Sequence, residues 1–191
     1  MKIIKLSDAM KGTNQKILAK AIVSGKIFFY PTDTIYGIGC DADNAESVGK
    51  ISEAKGRQQK PFSVIAPSIG WIRKNTAGSA HDVQFAKNLL PGPYTLVMKA
   101  AKGLPETITG SQGSVGIRIP KSPFCDFIRE QEKPFITTSV NLSGEKPATR
   151  VSEIPESIAG IIDYAIDSGV MDGPPSRVFD LTGKEMQIAR W

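Results

Sequence analysis

The chain has 191 residues, 40% of them hydrophobic, and a formal net charge of +5, so one domain spanning 1–191, with two small domains as the alternative, and an anionic partner (phosphate, nucleotide or RNA) are expected. No stretch reaches the roughly 20 apolar residues of a membrane span, and the opening MKIIKLSDAMKG lacks the long apolar segment of a secretory leader. Cys40 and Cys125 lie far apart with no metal-ligand spacing, which suits reduced thiols in a cytoplasmic protein.

Taken in order, IIKL reads as a short strand. After Asn14, QKILAKAIVSG predicts a helix with Ile17, Leu18, Ala21 and Ile22 on one face and Gly25 as its stop. KIFFY is a buried strand ending at Pro31, and YPTDTIYGIG reads as a polar loop between strands. Asn44 caps a second helix, AESVGKISEAK, with Ala45, Val48, Ile51 and Ser52 inward. FSVIA is a strand. A third helix from His81 to Leu90 stops at PGP. YTLVMKA and VGIRIP are strands, FCDFIREQE a short helix, and PFITTSVN a strand leading into a polar turn. DYAID, RVFDL and MQIAR follow as short strands. Strands outnumber helices and keep no strict βαβ rhythm. The expected fold class is therefore α/β (α+β): a mixed sheet with helices packed on it.

Several chemistries are excluded. There is no G-x-x-x-x-G-K-[ST] and so no P-loop. GIGCDA, Gly37 to Ala42, matches G-x-G-x-x-A, but no Asp or Glu occurs from Ala54 to His81, where a dinucleotide site would place its ribose-binding acid. One histidine, His81, on a helix argues against a histidine triad or histidine metal cluster, and no metal-ligand set is expected. NLS at Asn141 to Ser143 is a chance match to a glycosylation acceptor.

The acid-free stretch instead carries Lys55, Arg57, Lys60, Arg73 and Lys74. A run of cations is ordinarily a solvated face. Here, however, Lys55 and Arg57 flank Gly56 at the end of a helix, and Pro61 directs the chain into a buried strand. Cations anchored between two rigid elements lose less entropy on gripping a phosphate. Arg57 can fork two oxygens, while the lysines act as point charges. In TTSVNLSG, Ser139, Asn141 and Ser143 alternate after a strand. Alone this is a Ser/Asn turn; beside cations, its hydroxyls and amide suit phosphate or ribose oxygens.

Together, YPTDTIYGIGCDA, KGRQQKPFSV, LPGPYTLVM, VGIRIP and TTSVNLSG resemble the YrdC-like family of threonylcarbamoyl-adenylate synthases, in the family's order and over roughly residues 25 to 150. The tail, with DGPPSRVFDLT and QIARW, matches more loosely. The resemblance implies a twisted, mixed open sheet with flanking helices and a basic concave surface. It implies a nucleotidyltransferase that joins L-threonine, bicarbonate and ATP into threonylcarbamoyl-adenylate and pyrophosphate. Other proteins then transfer the group to tRNA. It also assigns Lys55, Arg57 and Lys60 as the catalytic K-x-R…K element on the ATP phosphates. Ser139 and Asn141 become the S-x-N element beside the nucleotide, with Ser114 and Arg190 as further nucleotide contacts. Thr34, Arg118 and Ser176 fall to threonine, Arg118 taking its carboxylate.

Such chemistry needs anions neutralised and aligned, with no covalent nucleophile, and magnesium would travel with ATP. Two positions depart from the family pattern. Arg177 stands where a small residue usually follows the tail serine, and Ile65 stands where some relatives place a polar pocket residue. The chain also has the length of the family's short form. Two other readings are a non-enzymatic module binding double-stranded or ribosomal RNA, and a paralogue acting on another amino acid. Readers of single-stranded RNA show exposed aromatics among their cations. Aromatics are only 7% here, and Phe28, Phe29, Phe62 and Phe135 sit in strand patterns that suit a core, so RNA binding is expected to be weak.

Overall fold

In the computed structural model, residues 1–56, 61–142, 144–183 and 185–190 are described. Their strands form a single sheet: β1 Lys2–Lys5, β2 Phe28–Pro31, β3 Tyr36–Gly39, β4 Ser63–Ile65, β5 Tyr94–Lys99, β6 Ser114–Arg118, β7 Phe135–Ser139, β8 Tyr164–Asp167, β9 Arg177–Asp180 and β10 Gln187–Arg190. The order across it is β1-β8-β2-β3-β7-β4-β6-β5-β9-β10. Parallel pairs (β1 with β8, β8 with β2, β4 with β6, β5 with β9) are mixed with antiparallel ones such as β3 with β7 and β5 with β6. The sheet is mixed and open, as expected.

Strand alternation assigns each side chain to a face. On one face Phe29, Ile38, Val64, Leu96, Ile117 and Ile136 join a single apolar core. It is covered by α3 (Ala45–Ala54), α4 (Ile69–Asn75), α5 (Ala80–Leu89), α6 (Glu106–Thr109) and α8 (Glu156–Ala159). The other face is covered over only part of its width. There α1 (Leu6–Ala9), α2 (Gly12–Val23) and α7 (Pro123–Arg129) bury Phe28, Tyr30, Ile65 and Phe135. The rest of that face forms the floor of a cleft.

The predicted strands are present, and three local expectations are corrected. YPTDTIYGIG is not all loop, because Tyr36–Gly39 forms β3. Two glycines in four residues hide a strand from propensity, but a Cβ at Gly39 would run into the Ile136 carbonyl of β7, so only glycine lets the two backbones approach. Ile17 is 40% exposed, and Leu18, Ala21 and Ile22 make the buried strip of α2. In α3, Ala45 is exposed and Ser47 is buried in its place, its hydroxyl donating to the Gly25 carbonyl at 2.6 Å. Asn44 caps α3 as expected, accepting from the Ser47 amide at 3.0 Å. Helix α4, capped by Ser68, was not expected from the sequence.

Candidate functional site: a basic cleft on the half-open face

A cleft of about 270 Å³ lies on the uncovered part of the second face. Its floor is one register row across four strands: Thr137 of β7 pairs with Ser63 of β4, Ser63 with Gly116 of β6, and Gly116 with Val97 of β5. Gly37 of β3 lies beside this row, and a Cβ there would touch Thr137 Oγ1. Where the covered face carries isoleucines and phenylalanines, this row carries glycine, serine and threonine, with one valine at its β5 end. Missing side-chain volume makes the hollow, and hydroxyls make it polar.

One end of the cleft is built around Arg118, the last residue of β6. It is 7% exposed. Its Nη2 donates to Asp33 Oδ1 at 2.8 Å and to Thr34 Oγ1 at 3.2 Å. Asp33 is held from behind, its Oδ2 accepting the Lys121 amide at 3.0 Å. Thr32 stiffens the loop: its hydroxyl lies 3.1 Å from that of Thr34 and donates to the Ile35 carbonyl at 2.7 Å. Arg118 Nε is buried and, among the described residues, has no hydrogen-bond partner. An unpaired buried donor costs about 1–3 kcal/mol, so this atom is suited to an acceptor that the protein does not supply.

The other end is built around Arg190 of β10. Its Nε donates to the Ser176 carbonyl at 3.0 Å and its Nη2 to Ser176 Oγ at 3.1 Å. Ser176 Oγ lies 2.7 Å from Thr95 Oγ1, and both residues are buried. Burial first, and the Arg118 charge second, push the Arg190 guanidinium below its ordinary pKa. The two arginines therefore feel each other across one cleft, which concentrates positive potential there.

Of the residues assigned from sequence, Thr34 touches Arg118, and Arg118, Ser176, Arg190 and Ser139 line the cleft. Asn141 stands just past Ser139. Its Oδ1 accepts from Ser139 Oγ at 2.6 Å, and its Nδ2 donates to the Leu142 and Glu145 carbonyls. Ser114 is buried on the same face of β6 as Gly116 and Arg118, two residues beyond the cleft floor. Lys55 is 6% exposed. Its ammonium donates to the Ser139 carbonyl at 2.5 Å, the Asn141 carbonyl at 2.8 Å and Asn141 Oδ1 at 3.4 Å. It thus ties the end of α3 to the end of β7. Arg57 and Lys60, and Ser143 of the polar turn, lie outside the described residues; the chain resumes at Pro61, which lines the cleft.

Neither of the two departures noted in the sequence lines the cleft, although Ile65 pairs with Arg118 in register. Arg177 precedes the cleft-lining Val178 and so shares the face of Phe179, which packs on Phe85 of α5. Ile65 is fully buried in the core beneath α7. Sequence reading missed Asp33, Thr95 and the small-residue floor. The signal for the floor was there: Gly37, Ser63, Gly116 and Thr137 sit at strand positions where an apolar residue would otherwise be expected. Both cysteines are free and buried, and burial pushes the Cys125 thiol up to about 12.

Comparison with known proteins agrees with this geometry. The Sua5/YciO/YrdC family, described as "Telomere recombination", matches residues 20–191. A Methanocaldococcus jannaschii protein provisionally named a threonylcarbamoyl-AMP synthase is 35% identical over 88% of this chain and 81% of its own length. A Vibrio campbellii threonylcarbamoyl-AMP synthase is 30% identical over 93% of this chain and 98% of its own. The crystal structure of Pyrococcus abyssi Sua5 complexed with L-threonine superposes with a TM-score of 0.88 at 30% identity, covering 100% of this chain and 57% of that one. This chain thus spans somewhat more than half of the Pyrococcus protein. The match over residues 20–191, with relatives 30–35% identical over most of both chains, places the chain in the Sua5/YciO/YrdC family.

Proposed function

We propose that the protein is a threonylcarbamoyl-AMP synthase, a nucleotidyltransferase that takes L-threonine, bicarbonate and ATP. The observation that carries this is the buried, unpartnered Nε of Arg118 beside the Thr34 hydroxyl, a ready site for an amino-acid carboxylate. It is supported by relatives that bear the synthase name and by a threonine complex of a similar structure.

In the reaction, the threonine amine and bicarbonate form a carbamate with loss of water. A carbamate oxygen then attacks the α-phosphorus of ATP, and the α–β anhydride bond breaks to release pyrophosphate. No side chain need bond to substrate. Arg118 and Thr34 would hold the amino acid, Arg190 and Ser139 would face the nucleotide, and Ser176 would stand between them. Alignment and charge neutralisation supply the acceleration. Arg57 and Lys60 are proposed for the phosphates by family resemblance. Lys55 acts by fixing the Ser139–Asn141 turn that its ammonium holds. Among the described residues no carboxylate lines the cleft, so magnesium would be held through the nucleotide's own phosphates, whose charge it would help neutralise.

The product would pass to proteins that place the group on tRNA. A reducing, cytoplasmic setting is supported by two free buried thiols, and among the described residues no helix is long and apolar enough to cross a membrane. The test is pyrophosphate release with each component withheld in turn. Release should require threonine and bicarbonate together. Equal release without threonine, or tight structure-selective RNA binding unaffected by ATP, would replace this reading with the amino-acid paralogue or the RNA module.

A further inference from the structure

We propose that Asp33 sorts the anions of the cleft: by compensating Arg118 it bars phosphate from that end and reserves it for a singly charged amino-acid carboxylate. The proposal rests on the functional reading above and concerns a residue to which that reading gives no role.

The two arginines differ in their company. Arg118 is paired with Asp33 at 2.8 Å, and both side chains are 9% exposed. Asp33 cannot swing aside, because its second oxygen accepts the Lys121 amide at 3.0 Å. The Arg118 end is therefore a donor array with almost no net charge. Arg190 has neutral partners, the carbonyl and hydroxyl of Ser176, and among the described residues no carboxylate pairs with it. The Arg190 end keeps a full positive charge.

Both ends offer N–H groups, so hydrogen bonding alone would not tell carboxylate from phosphate. Charge does. A phosphate or pyrophosphate set on Arg118 would bring two or more negative charges beside a buried carboxylate, where solvent screens little. A threonine carboxylate brings one. At Arg190 no such repulsion opposes a polyanion. Asp33 weakens the raw attraction of Arg118 for anions in return for discrimination between them.

The test is calorimetric and needs no turnover. Threonine is titrated into the whole protein with and without saturating pyrophosphate, using wild type, Asp33→Asn and Asp33→Glu. In wild type, pyrophosphate should change the threonine Kd by less than about twofold, since it is kept from the Arg118 end. In Asp33→Asn, which keeps an acceptor and loses the charge, pyrophosphate should displace threonine and raise its apparent Kd roughly tenfold or more. Asp33→Glu should restore the wild-type pattern, which a merely structural role would not require. Competition in wild type overturns the proposal, whether or not Asp33→Asn folds. So does a folded Asp33→Asn in which pyrophosphate still leaves threonine alone. Failure of wild type to bind threonine at all overturns the functional reading, and this proposal with it.

Discussion

The two faces of the sheet share every strand, yet they are built to different ends. On the fully covered face, Phe29 stacks on Tyr36 with ring centroids 4.3 Å apart, and Ile38, Leu96 and Ile136 are wholly buried. On the half-open face the same strands present Gly37, Ser63, Gly116 and Thr137 to the cleft. One backbone thus carries a stability surface and a binding surface one residue out of phase. Truncation on the first should cost folding energy, and truncation on the second should cost affinity.

The largest effect that would break this contrast is on the covered face. Phe29→Ala should lower stability by about 3–5 kcal/mol, read from denaturant unfolding. Ser63→Ala on the cleft floor should lower it by less than about 1 kcal/mol. If the two costs come out alike, the division of labour between the faces is wrong.

Arg118 is where the two roles meet. Arg118→Ala leaves Asp33 buried without its cation, so it should cost roughly 3 kcal/mol of stability as well as threonine binding. Arg118→Lys keeps the charge but loses the fork, and should weaken threonine binding about tenfold with a smaller stability loss. Calorimetry of the folded variants separates the two terms.

Arg190 sharpens the comparison from the other end. It is exposed, and among the described residues its side chain bonds Ser176. Arg190→Ala should weaken ATP binding roughly tenfold, leave threonine binding nearly intact and barely move the melting temperature. A collapse of stability would make β10 structural instead.

The smallest expected effect concerns the buried thiol behind the cleft. Burial raises Cys125 from the ordinary value of 9.0 to about 12. Below 9.0 both folded and unfolded chains hold the proton, and pH has no effect through this group. From there to about 12 the unfolded chain loses its proton first, so stability should fall as pH rises, and Cys125→Ser should flatten that slope. At pH 8 the native thiol should resist alkylation until the protein is unfolded.

Much of this was legible in the sequence. Apolar alternation placed nine of the ten strands, and Asn44 and Gly56 marked the ends of α3. The motif resemblance brought out Thr34, Arg118, Ser139, Ser176 and Arg190, which the fold gathers at one cleft. β3 was hidden because its glycines answer to the close approach of β7, a neighbour nearly 100 residues away in sequence. Lys55 read as a phosphate-gripping cation, and the acceptors it holds in the fold are carbonyls more than 80 residues away, beyond the reach of any local pattern.

What the sequence determined by itself was the kind of protein: a mixed sheet, a basic site without nucleophile or histidine, and the family. Those depend on local periodicity and on residue types within short motifs. What only the tertiary structure decided was the state of each charge. Whether Arg118 is compensated by Asp33, whether Arg190 keeps its full charge, and whether Arg177 faces the cleft or the helices depend on which strands lie side by side. Register and face are set by long-range pairing, and a charge acts according to the neighbours that pairing brings within a few ångströms of it.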